Sequence, residues 1–226
     1  MVQQLLAVLA PMLLGAQLVL TLILVKGDIC PGQRGRIHKI LPAIAILWLS
    51  VASLKIQAMM IVFALAYFYS QVQTKKTRDQ GPMWVMYLAN GLALAYVGIL
   101  VFEQPSVAAG LNVFVQILLL GSLFAHLLLT IARTRLQAFH RLLPVSGVLS
   151  TMLMCLTVLL AAAGLDEQAL AQATQPLLMG FALLLSSVLI WCWHMLMSKE
   201  IQKVQLAIAL VGMLTAVTFN QGLFVL

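Results

Sequence analysis

The chain has 226 residues, of which 63% are hydrophobic and only 8% are charged. Soluble globular chains carry roughly 25% charged residues, so the composition excludes a soluble domain and predicts an all-α membrane protein. The formal net charge of +7 does not indicate a nucleic-acid partner. The basic residues stand in short loops between apolar runs, as membrane topology requires.

The apolar runs predict eight transmembrane helices that form a single integral membrane domain. The first run has no basic segment before it, and its first positive charge, Lys26, comes after it. This order differs from that of a signal peptide and favours an N-terminus outside the membrane. The predicted helices cover residues 4–25, 40–54, 56–73, 83–102, 110–131, 144–164, 176–197 and 204–226.

The apolar run over residues 40–73 is interrupted only by Lys55 and is flanked by basic residues at both ends. As one helix rising 1.5 Å per residue it would be ~50 Å long, well beyond a hydrocarbon core of ~30 Å. The basic flanks belong on the same side of the membrane. The run therefore predicts two short helices in a hairpin, with Lys55 at the outer surface.

The distribution of basic residues predicts both termini outside. Reading residues 40–73 as a single pass would move eight basic residues to the opposite side. With two passes, all but one of the 13 basic residues fall in four inner loops, and only Lys55 lies outside. The inner residues are Lys26, Arg34, Arg36, Lys39, Lys75, Lys76, Arg78, Arg133, Arg135, Arg141, Lys199 and Lys203.

Polar side chains within the predicted helices are costly in lipid, so each is a candidate for function. Lys55 and Glu103 are predicted to stand close enough to pair. The outer polar residues have two open interpretations. They are either ordinary interfacial snorkelling and capping groups or the lining of a pocket for a quinone headgroup or of a docking surface. The outer set is Lys55, Gln57, Glu103, Asn112, Gln116, Asn220 and Gln221.

His126 and His194 are predicted at similar depth near the inner face. Two facing histidines can ligate a b-type haem, but a membrane histidine also commonly hydrogen-bonds a neighbouring helix. We expect Asn90 to form such an interhelical bond. His38 and His140 are predicted to lie in basic loops without a role.

No catalytic residue and no metal site are predicted. The three cysteines are Cys30, Cys155 and Cys192, and an iron–sulfur cluster needs four thiolates. The sequence contains no H-E-x-x-H, no G-x-S-x-G and no P-loop. A self-contained enzyme is therefore not expected.

Three stretches resemble the membrane-anchor subunit of dimethyl sulfoxide reductases. They are LTLILVKGDICPGQRGRI, HRLLPVSGVLSTMLMCLTVLLAAAG and AVTFNQGLF, and the eight-helix topology is also that of the family. The resemblance implies a multi-pass protein of the bacterial inner membrane that binds no haem or other cofactor itself. Quinol, such as menaquinol, would be its substrate. Its partners would be an iron–sulfur subunit, which takes the electrons, and a molybdopterin catalytic subunit.

The outer hairpin departs from that family. There, a histidine followed by leucine and glycine ends the second helix, a glutamate opens the third, and a long loop separates them. Here SLKIQA stands in that place. A quinone site in this chain is therefore expected to use other residues, namely Lys55, Gln57, Glu103, Gln116, Asn220 and Gln221.

Two other hypotheses remain open. Eight helices with buried polar residues are compatible with a small-molecule transporter or channel, although the first and last four helices show no internal repeat. A haem-b electron carrier would use His126 and His194 as axial ligands.

Overall fold

The computed structural model describes residues 2–74, 80–134, 136–197 and 200–225. These residues form α-helices and two short 3-10 helices and contain no strand. Eight of their helical segments are long and apolar enough to cross a membrane, which confirms the predicted fold class. The α-helices are α1 (Val2–Lys26), α2 (Pro31–His38), α3 (Leu41–Ala52), α4 (Met59–Thr74), α5 (Met83–Phe102), α6 (Val107–Ile131), α7 (Gln137–Ala162), α8 (Glu167–Leu196) and α9 (Lys203–Gln221).

The second span starts earlier than predicted. It begins at Pro31, with Cys30 as an extended cap, and comprises α2 and α3 with a break between them. Proline suits the first turn of a helix because its missing N–H has no intrahelical partner there. Pro42 is in the first turn of α3, and it cannot donate to the carbonyl of His38 four residues back. The helix is therefore interrupted between His38 and Leu41.

Two further predicted helix starts are wrong for a different reason. Pro144 and Pro176 were expected to open their helices, but they lie inside α7 and α8. Membrane helices tolerate internal proline. Asp166 caps α8, and its carboxylate accepts a hydrogen bond from the Ala169 amide at 2.7 Å. Residues 167–175, predicted as an outer loop, are therefore helical.

The eight spans form two rings of four. In the first ring α1, α3, α4 and α5 pack in sequence, and α5 returns to α1; α6, α7, α8 and α9 close in the same way. The rings meet where α1 packs along α6, the most extensive contact between elements of the two rings. Gly15 and Gly121 face each other at this crossing, where an added Cβ on either would overlap the opposite backbone. Small residues allow this close approach, as is usual in membrane helix pairs.

Alternating spans place the basic loops at one end of the bundle. That end holds the connections after α1, α4, α6 and α8, and we refer to it as the inner face. Lys55 lies at the opposite, outer face, in the turn between α3 and α4. An even number of spans puts the start of α1 and the end of α9 on that outer face as well. Lys75, Lys76, Arg78, Arg135 and Lys199 lie outside the described residues.

Candidate functional site

The hairpin between α3 and α4 forms one wall of a cleft at the outer face. Lys55 is extended, with φ −136° and ψ 116°, and a 3-10 turn, Ile56–Ala58, leads into α4. Glu103 is the residue that caps the C-terminus of α5. The Lys55 ammonium and the Glu103 carboxylate form an ion pair across the mouth of the cleft. The pairing predicted for these two residues is confirmed.

This outer cleft has a volume of about 220 Å³. Its charged and amide groups stand at the mouth, and most of its remaining wall is apolar. Such a combination of apolar walls with a few polar groups is typical of small-molecule sites. The lining residues are Lys55, Gln57, Met60, Leu92, Ala95, Tyr96, Ile99, Leu100 and Glu103.

The structure divides the predicted outer polar set into separate groups. Lys55, Gln57 and Glu103 line the outer cleft, whereas Gln116, Asn220 and Gln221 are on α6 and α9, in the second ring. They lie apart from the outer cleft because the cleft is built by the turn after α3 and by α4 and α5, all in the first ring.

The remaining outer amides have partners of their own or pack within the second ring. The amide of Gln116 donates to the Asn112 side chain at 2.7 Å. Asn112 in turn donates to the hydroxyl of Thr157 on α7 at 2.9 Å. Asn220 is buried against Gly180 of α8. These contacts join α6 to α7 and α8 to α9.

A buried hydrogen-bond network stands directly behind the outer cleft. Tyr96 lines the cleft and contacts Trp48 edge-on, with ring centroids 5.8 Å apart. The Trp48 indole donates to the side-chain oxygen of Gln17, Oε1, at 3.1 Å. Gln17 donates to Asn90 at 2.8 Å, and Asn90 donates to the Thr21 hydroxyl at 3.0 Å. The network connects α1, α3 and α5 and supports the wall that carries Tyr96.

The interhelical role predicted for Asn90 is confirmed, but the sequence analysis missed its partners. Gln17 and Thr21 are two polar residues within the apolar part of α1, four residues apart on one helix face. This four-residue spacing in an apolar helix could have identified Gln17 and Thr21 as candidates for interhelical hydrogen bonds. The side-chain amides of Gln17 and Asn90 both form hydrogen bonds within the network. The network therefore leaves few polar groups free to bind a transported solute.

At the inner face, three histidines and one tryptophan form a second cluster. The Trp191 indole of α8 donates to His126 Nδ1 of α6 at 2.9 Å. His126 Nε2 lies 3.0 Å from His140 Nδ1 of α7. The rings of His126 and His194 meet edge-on with centroids 5.6 Å apart. The cluster therefore connects three helices of the second ring.

The predictions for His38 and His140 are wrong. Neither lies in a loop: His140 is in the first turn of α7 and contacts His126, and His38 is buried at the end of α2. His38 packs edge-on against Phe68. Both histidines were assigned to loops because the helical spans that contain them begin earlier than predicted.

The inner cluster does not fit an axial haem site. His126 uses Nδ1 to accept from Trp191 and Nε2 to contact His140, so neither nitrogen faces an iron position. Its ring also touches that of His194, which leaves no gap for a macrocycle. Among the described residues, no group of three His, Cys, Asp or Glu side chains has the geometry of a metal site.

Comparisons with known proteins identify the chain only as a membrane protein. Residues 1–219 match the model of a family described as an integral membrane domain. An uncharacterized protein of Haemophilus influenzae is 35% identical over 155 residues, which are 64% of this chain and 58% of that relative. The chain thus spans less than two thirds of the length of the relative that it matches. No solved structure matches the chain.

Proposed function

This chain belongs to the family described as an integral membrane domain, and from that premise we propose that it oxidises quinol at its outer cleft. In this proposal it is the membrane anchor of an oxidoreductase complex. Its partners are an iron–sulfur subunit and a molybdopterin catalytic subunit. We place it in a bacterial inner membrane, a location supported by the bacterial origin of its relative.

The observation that carries the proposal is the ion pair at the mouth of an otherwise apolar cleft. A volume of about 220 Å³ is below the roughly 300–1,000 Å³ of pockets that enclose whole drug-sized ligands. It suits a ring-shaped headgroup whose hydrocarbon tail stays in the lipid. Lys55 and Glu103 then stand where the oxygen atoms of the headgroup would lie.

The residues of the cleft suit the chemistry of quinol oxidation. The reaction breaks two O–H bonds and releases two protons and two electrons, leaving the quinone. The carboxylate of Glu103 can accept the two protons in turn from the quinol hydroxyls, and it is 51% exposed, so each proton can pass on to water before the next is taken. The ammonium of Lys55 stands beside that carboxylate and can donate a hydrogen bond to an oxygen of the headgroup. The two electrons leave to the iron–sulfur subunit.

The cleft is accessible from the lipid. Met60 and Ile99, one on each side of it, are 59% and 55% exposed. Ile56, beside the hairpin turn, is 74% exposed. Side chains of this kind contact acyl chains in a membrane. A quinol that diffuses in the bilayer therefore has a direct route to the cleft.

Quinone binding is measured by quenching of tryptophan fluorescence in the purified full-length chain. Trp48 touches Tyr96 of the cleft, so a bound quinone headgroup should quench it in a saturable manner. Trp48→Phe should remove the saturable component. Lys55→Gln should weaken binding about tenfold, whereas Lys203→Gln, an equal loss of charge on the inner face, should not change it. Quenching that rises linearly with quinone concentration would show partition into detergent only and would refute the cleft.

The anchor role is tested by affinity purification of the tagged chain from native membranes. The proposal predicts that an iron–sulfur subunit and a molybdopterin subunit co-purify, with iron and molybdenum in the sample. A preparation that binds quinone but contains neither metal would leave the cleft intact and refute the anchor role.

A further inference from the structure

A second concave surface lies on the lipid-facing side of the bundle between α1, α6 and α7. This lipid groove has a volume of about 400 Å³. Leu18, Leu118, Leu149 and Leu153 line it and are between 40% and 58% exposed. It therefore opens toward acyl chains and is separate from the outer cleft, which is built by the turn after α3 and by α4 and α5.

The wall of the lipid groove is almost entirely nonpolar. Ser122, Ser146 and Ser150 also line it. Each of these hydroxyls donates to a carbonyl of its own helix, at 2.6, 2.8 and 2.7 Å respectively. The groove thus offers few free donors, and its surface suits a hydrocarbon chain better than a polar ligand.

The size of the lipid groove matches one such chain. A water molecule occupies about 30 Å³ in the liquid, and a methylene group is of similar size, so 400 Å³ holds on the order of a dozen methylenes. Along α7 the groove extends from Leu143 to Leu153. At 1.5 Å per residue this is roughly 15 Å, about half of a hydrocarbon core.

Positive charge is concentrated at the inner end of the lipid groove. Lys26 lies on the same face of α1 as Val19, which lines the groove, and is roughly 10 Å closer to the inner face. Because α1 and α6 run parallel and touch at Gly15 and Gly121, Lys26 is at the level of Arg133. Lys26 is 11 residues after Gly15, and Arg133 is 12 residues after Gly121, so the two residues are at nearly the same distance along their helices from the crossing.

A third cation joins this group. Arg36 of α2 donates from Nη1 to the carbonyl of Arg133 at 3.0 Å. Within the described part of the chain, the only ion pair is that of Lys55 and Glu103 on the other face. Asp28 is the acidic residue closest in sequence to Lys26, and it is exposed. Lys26, Arg36 and Arg133 therefore lie at one level beside the contact of α1 with α6, and we refer to them as the inner basic cluster.

We propose that the lipid groove and the inner basic cluster together bind an anionic diacyl phospholipid. One acyl chain lies in the groove, and the phosphate contacts Lys26, Arg36 and Arg133. Basic groups between membrane helices at the inner surface suit such headgroups. Charge complementarity selects the anionic lipid, and the apolar groove selects a ligand with a tail. This site is independent of the quinol proposal.

Native mass spectrometry of the full-length chain in mild detergent tests the site. Phosphatidylglycerol and phosphatidylcholine with identical acyl chains are titrated in parallel, and glycerol 3-phosphate serves as the headgroup without tails. The chain should retain phosphatidylglycerol at least fivefold better than phosphatidylcholine, and glycerol 3-phosphate should not displace it. Equal retention of the two lipids, or displacement by glycerol 3-phosphate, would overturn the proposal.

Matched variants separate a defined site from diffuse surface charge. Lys26→Gln should lower retention of phosphatidylglycerol about fivefold without affecting phosphatidylcholine. Arg133→Gly should act in the same way, and glycine suits the positive φ of 51° at that position. Ser146→Phe fills the groove and should weaken both lipids. Arg141→Gln removes an inner charge from another face of α7 and should have no effect. A loss with Arg141→Gln equal to that with Lys26→Gln would refute the defined site.

Discussion

The indole of Trp191 donates a hydrogen bond to Nδ1 of His126 at 2.9 Å and thereby ties α8 to α6. An imidazole nitrogen that accepts carries no proton, so the ring proton of His126 is on Nε2, where it faces His140. Both ring nitrogens therefore serve packing between helices. The geometry explains why a histidine pair that suggested haem in the sequence acts as a structural link.

Trp191→Phe should destabilise the protein by about 1 kcal/mol, since it removes this bond and leaves a buried acceptor without its donor. The thermal unfolding midpoint in detergent measures the effect. Trp193→Phe is the control, because Trp193 is 47% exposed. A Trp191→Phe protein as stable as that control would contradict the structural link.

Gln17→Leu should cost about 1–2 kcal/mol, because Trp48 and Asn90 both lose a buried partner. Gln4→Leu makes the same exchange at an exposed position of α1 and should be nearly neutral. The unfolding midpoints of the two variants are compared. A larger loss in Gln4→Leu than in Gln17→Leu would be inconsistent with the network behind the outer cleft.

Gly121→Ala should destabilise the pairing of α1 with α6, because the new methyl group would overlap the backbone at Gly15. Gly98→Ala is the matched control, since its added methyl has open space. In a helix interior that exchange should be neutral or stabilising by up to about 1 kcal/mol. If unfolding showed both variants to be equally stable, the close crossing of the two rings would be wrong.

Lys55→Gln should lower stability by at most about 1 kcal/mol, because the pair with Glu103 is partly exposed and water screens it. The same variant should weaken quinone binding about tenfold. The unfolding midpoint and the quinone titration are therefore measured on one preparation. A large loss of stability would assign the pair a structural role in place of a binding role.

The composition and the basic loops sufficed to predict eight spans and the hairpin at Lys55. Long apolar runs indicate which segments cross the membrane, and basic loops indicate on which side the connections lie. Helix starts at Pro144 and Pro176 were mispredicted, since proline marks a helix start in water but is tolerated inside a membrane helix. Lys55, Gln57 and Glu103 were correctly grouped.

The separation of Gln116 and Asn220 from the residues of the outer cleft could not be predicted. Depth in the membrane follows from sequence position, but the lateral neighbours of a helix follow from packing. The same limit applies to the pairing of Gln17 with Trp48, which joins helices far apart in sequence.

The rate of quinol oxidation in native membranes tests the role of the outer cleft most directly. Glu103→Gln should lower it about a hundredfold, the usual contribution of a positioned base. Glu200→Gln, an equal change on the inner face, should leave it unchanged. If membranes with Glu103→Gln oxidise quinol as fast as the wild type, the outer cleft does not handle quinol.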